Sequence, residues 1–214
     1  MSQSHESQLE KCRVLIEGVN SNDAIKTRIA PIYTEEKLAN GPVLFTNAKL
    51  AANHQTKEKA EGTAAVKAFN GAKDELHNNF VRLRHSVRYF FKSDVNMQNM
   101  VYLNEDIPGN YAQWSNLIER TLSVVMATPA ITEKLSLVNI STDVLTGWQD
   151  DLMNIGQLKI VAEKEDGEAQ AASVKKRETM AELKAYCSDL RECLNLFYHG
   201  SERQVLEQVG ITVK

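Results

Sequence analysis

The sequence predicts an all-α protein, a helical bundle built from two tandem, structurally similar repeats related by a pseudo-two-fold. Three observations carry this. Pro and Gly are scarce, at 4 and 10 of 214 residues, which disfavours turn-rich β folds. Short apolar runs such as Val43-Leu44-Phe45 lack the alternating context of strands. Apolar residues instead recur at helical spacing, and their order returns after about 107 residues.

The repeat is clearest where Glu75–Phe91 is set against Glu182–Tyr198. Leu76, Phe80, Leu83, Val87 and Phe90 match Leu183, Cys187, Leu190, Leu194 and Phe197, and Arg84 matches Arg191. Both apolar sets step by four and three residues, the seam of a helix packed lengthwise on another. Residues 1–107 and 108–214 are therefore read as two repeats burying their seams in one shared core, with Pro108-Gly109-Asn110 at the joint.

Each repeat opens with a helix, at about 6–19 and 111–126. A short second helix follows. Thr128-Pro129 supplies a capping hydroxyl and a first-turn proline for one copy, and Ser21 or Asn22 a cap for the other. A third helix begins near Thr34 and near Ser141 or Thr142. In the second copy Leu145, Trp148, Leu152, Ile155 and Ala162 form its apolar face, and in the first Gly41-Pro42 predicts a kink or a late start.

The charged, alanine-rich stretches 58–67 and 163–176 fit a bundle tip, a loop or the start of the seam helix. The seam helices end near Lys92-Ser93-Asp94 and His199-Gly200-Ser201, with Gly200 suited to a left-handed terminus. Ser201 and Gln204 read as a capping box for a last short helix, and Asp94 aligns with Ser201.

Composition narrows function mainly by exclusion. The formal net charge of -3 gives no electrostatic reason to expect nucleic-acid binding. No apolar run approaches a membrane span, and the first residues lack a secretory pattern. A cytoplasmic location is expected, and Asn139-Ile140-Ser141 is then a chance glycosylation match. Cys12, Cys187 and Cys193 are expected to be buried small hydrophobes, with no cluster nearby to make a thiol acidic.

No cofactor, metal or catalytic site is expected. A di-metal bundle needs Glu-x-x-His pairs, and only Asp74-x-x-His77 comes near, read as a solvated face. Trp114 and Trp148 are expected in the core, and Tyr89, Phe91 and Tyr198 against the terminal helices. His199 is read as a helix C-terminal cap.

The sequence favours a non-enzymatic protein acting through contact with another protein, self-association included. The alternative is an enzyme or cofactor binder with a site assembled between helices, and a third option is a reversible amphipathic membrane contact. One surface differs between the copies. Arg84, Arg88 and Lys92 form a stripe at four-residue spacing, while Arg191, Asn195 and His199 stand in the second copy. That stripe is the candidate surface for an anionic partner.

Overall fold

A computed structural model describes residues 4–212. Among them the regular elements are all helical: α1 (His5–Ser21), α2 (Asp23–Ile29), α3 (Glu35–Phe90), α4 (Val95–Met100), α5 (Tyr111–Ala127), α6 (Pro129–Ser136), α7 (Thr142–Phe197) and a terminal 3-10 helix (Gly200–Val209). No helix among the described residues is long and apolar enough to cross a membrane.

The third and fourth helices expected in each repeat are one. α3 and α7 each run unbroken for 56 residues, with the charged, alanine-rich stretches inside them. Ala, Glu and Lys are strong helix formers, so a stretch with little to bury still continues the helix. α3 starts at Glu35 and passes through Pro42, so its start is not delayed.

The caps follow the sequence in part. Asn22, Asp94 and Asn110 side chains accept from the first turns of α2, α4 and α5. Thr34 and Ser141 hydroxyls accept from Lys37 and Val144 N–H. Thr128 stands at the expected N-cap of α6, but its hydroxyl donates back to the Val124 carbonyl instead of capping. Ser201 is not a cap either, because the 3-10 helix starts at Gly200, after His199. Gly200 is left-handed, at φ 51°.

The chain divides into two compact units that do not follow the 107/108 joint. Unit 1 takes residues up to Ala60 and those from Asp166 on, and unit 2 is 61–165. α3 and α7 each contribute to both. The buried apolar residues form two clusters, one per unit, and each draws on both halves of the sequence.

Unit 1 packs α1, α2 and the start of α3 on the end of α7 and the 3-10 helix. Leu15, Ile16, Val19, Ile25 and Ile29 meet Leu183, Leu190, Leu194, Leu206 and Val209. The α3 and α7 segments run antiparallel here, with Gly41 against the Tyr186 ring and Gln55 Nε2 at 3.5 Å from Ser173 Oγ. A Cβ on Gly41 would lie 2.7 Å from Tyr186 Oη, so the close approach depends on glycine.

Unit 2 packs α4, α5, α6 and the start of α7 on the last part of α3. Leu76, Phe80, Leu83 and Val87 meet Trp114, Leu117, Ile118, Leu122, Ile131, Leu135, Leu145 and Ile155. The first four positions of both seams are buried, and the last pair, Phe90 and Phe197, is half-buried. Trp114 and Trp148 are both core, as expected. The Trp114 indole N–H donates to His77 Nδ1 at 3.2 Å, so His77 serves a core tryptophan and is not on a free solvated face.

Candidate functional site

Two concave regions differ in chemistry, one in each unit. In unit 2 the last turns of α3 carry Arg82, Arg84, His85 and Arg88. α4 ends at Met100, two residues on Tyr102 is left-handed with φ 57°, and the turn there brings the following carbonyls to α3. Arg84 Nη2 donates to the Leu103 carbonyl at 2.8 Å and the Glu105 carbonyl at 2.5 Å. Arg88 Nη2 donates to the same Leu103 carbonyl at 2.7 Å. Arg82 follows the pattern on the Val138 carbonyl, at 2.7 Å.

The expected basic stripe is thereby split. Arg84 is 5% exposed. Arg88 is exposed but tied to the turn, and Lys92 lies beyond the end of α3, outside the cavity that the two arginines line. That cavity has a volume of about 530 Å³, lined also by His85, Leu103, Glu105 and Asp106. Burial pushes the Arg84 pKa down and the neighbouring Arg88 charge adds to this, while Asp106 and Glu105 pull the other way. The Glu105 carboxylate turns to Arg120, 3.0 Å away.

Unit 1 carries a groove of about 740 Å³ along α3 and α7. Leu50, Ala51, Ala171 and Ala172 give it apolar surface, with Leu50 61% exposed. Glu58, Glu168 and Glu182 line it together with Lys175 and His54. Glu58 is only 6% exposed, with His54 Nε2 at 3.6 Å and Lys57 Nζ at 3.5 Å. Sequence reasoning passed over this groove because Glu58, Glu168, Ala171, Ala172 and Lys175 fall in the charged stretches. The available signal was Val43 and Leu50, seven residues apart and both exposed, an apolar line off the core face.

The remaining marked residues settle into structure. Tyr198 is buried under the Arg28 guanidinium, 4.4 Å from the ring centre, and Phe91 packs on the unit 2 core. Tyr89 is 74% exposed, contrary to the packing expected of it, and its ring meets only the edge of Phe90 among the described aromatic pairs. All three cysteines are free and buried. The thiols of Cys12 and Cys187 are hydrogen-bonded, which brings Cys12 down to about 7 against the opposing effect of burial, with Arg191 and Lys184 helping. Cys12 thus has a thiol partner that the sequence analysis did not foresee. Its partner comes from the far end of the sequence, beyond the reach of local spacing.

No protein-family model, curated protein or solved structure matches this chain.

Proposed function

We propose that this is a non-enzymatic contact protein whose unit 1 groove receives an amphipathic helix of another protein. The groove itself carries the reading. Its small side chains, Ala51, Ala171 and Ala172, allow a helix to approach closely, and Leu50 offers an exposed apolar anchor. Helix-in-groove recognition uses this combination, reading apolar residues at one-turn and two-turn spacing. Glu168 and Glu182 against Lys175 favour a partner helix with Lys or Arg beside its apolar stripe, while the buried Glu58 is held by His54 and Lys57.

The proposal includes how the scaffold arose. Residues 1–107 and 108–214 are read as tandem copies with a pseudo-two-fold. Matching lengths support this: 17 and 17 residues in α1 and α5, 7 and 8 in α2 and α6, 56 and 56 in α3 and α7. A reducing, cytoplasmic setting is part of the same reading, supported by three buried free thiols.

Selection from a displayed library of amphipathic helices tests the groove. Enriched sequences should carry apolar residues at i, i+3 or i+4, and i+7 with basic flanks, and should lose binding to Leu50→Asp protein. Sedimentation over a range of concentrations runs beside it, and a dimer lost on Leu50→Asp would make a second copy the occupant. A library with no enrichment and a chain that stays monomeric would overturn the contact reading.

A further inference from the structure

The arginine cavity of unit 2 is a separate region with separate chemistry. Arg84 and Arg88 meet on one backbone carbonyl, that of Leu103. Among the described residues neither guanidinium has a carboxylate within 4.0 Å. Carbonyl dipoles satisfy some of their N–H groups but do not neutralise two like charges held side by side. Arg84 is 95% removed from solvent, and its Nη1 has no hydrogen-bond partner among the described residues. A buried guanidinium without a counter-charge is unfavourable unless something else supplies one.

We propose that this cavity binds a small oxyanion, a phosphate or a carboxylate, held by the exposed Arg88 guanidinium with the buried Arg84 charge behind it and His85 on the same wall. Guanidinium groups present paired N–H donors that match both anions. The volume of about 530 Å³ admits a small molecule and not only an ion. Glu105 does not compete directly, because its carboxylate is engaged by Arg120 at 3.0 Å. Asp106 does oppose an anion, and it limits how much negative charge the cavity accepts. The second half of the chain lacks the set, since Asn195 stands where Arg88 does and Glu192 where His85 does.

Calorimetric titration of the full chain tests this with two probes, inorganic phosphate and succinate, at constant ionic strength in chloride. One probe is expected to saturate a single site with a dissociation constant of about 1 mM or tighter, an ordinary affinity for a small ligand. Which probe saturates distinguishes a phosphate site from a carboxylate site. Arg88→Gln should weaken binding about tenfold, the effect of losing one charged contact. Arg84 clamps the turn, so its removal risks the fold, and Asp106→Asn is the better second variant. It removes an opposing charge and should tighten binding several-fold. Binding of neither probe, or binding that ignores both Arg88→Gln and Asp106→Asn, would overturn the proposal.

Discussion

Near the end of α3 in unit 2, Arg84 lies in the core wall with its donors on the carbonyls of the turn after α4. At the matching place on α7 in unit 1, Arg191 is only half-buried and stands near the Cys12 and Cys187 thiols. The elements that close the two cores explain the difference. Unit 1 is closed by the terminal 3-10 helix, which buries Leu206 and Val209. That helix comes close because α1 offers Gly18, where a Cβ would lie 3.0 Å from Val209 Cα. The same distance into α5 of unit 2 stands Val124. There the polypeptide after α4 is anchored by guanidinium groups, alongside buried Val101 and Leu103. Apolar closure leaves no charge behind, whereas closure by arginine leaves positive charge in the wall of a cavity.

The comparison can be broken most forcefully at the paired seam leucines. Leu83→Ala and Leu190→Ala should each cost about 2–5 kcal/mol, the usual range for large-to-small core changes. Both leucines are fully buried, Leu83 in unit 2 and Leu190 in unit 1. Denaturant melts give the size, and amide exchange should show the loss of protection confined first to the unit that holds the substitution. Equal loss across both units would mean that the two cores melt as one.

A smaller effect of opposite sign in the two long helices sharpens it. Gly41→Ala pushes a methyl into the Tyr186 ring and should destabilise by about 1–3 kcal/mol, as overpacking does. Gly147, near the start of α7, has nothing within 4 Å of a built Cβ. Gly147→Ala should therefore stabilise, by about 0.5–1 kcal/mol from helix propensity. Thermal melts of the two variants should move in opposite directions.

The mildest test is alkaline. Burial pushes the Tyr186 phenol up to about 12 from its ordinary 10.0, and burial with the Asp189 hydrogen bond raises Tyr33 as well. The unfolded chain therefore releases these protons first. The stability owed to the neutral phenols is whole below pH 10 and is lost as the pH climbs towards 12. Urea melts from pH 9 to 11.5 should show a steeper decline for the native chain than for a Tyr33→Phe, Tyr186→Phe double variant. Tyr186 Oη has no hydrogen-bond partner, so its removal leaves no donor or acceptor stranded at neutral pH.

Much of the fold was legible because it rests on local periodicity. The steps from Leu76 to Val87 and from Leu183 to Leu194 named core faces that are buried in both long helices. Caps such as Asn22 and Thr34 were legible for the same reason, since donor and acceptor lie three residues apart. What depends on distant partners was not. Nothing local to Gly41 foretells Tyr186, and nothing beside Cys12 foretells Cys187. The arginine stripe was visible as spacing, but its role is fixed by where the Leu103 and Glu105 carbonyls arrive. The groove went unread because alanine among charged residues looks like solvated helix until a second helix lies beside it.

Unit 2 is one uninterrupted stretch, residues 61–165, while unit 1 needs both ends of the chain. On the ribosome this imposes an order. Once 61–165 has emerged, every residue of the unit 2 core is at hand. Unit 1 must wait, because Leu190, Leu194, Leu206 and Val209 are made after every residue of unit 2. Until then the apolar faces of α1 and α2 have no cover, and the closing contacts span a long loop with its entropic cost. Chains growing at about 5–20 residues per second leave that surface exposed for about 10–30 seconds. Unit 1 is therefore the part of the nascent chain whose apolar surface stays uncovered longest.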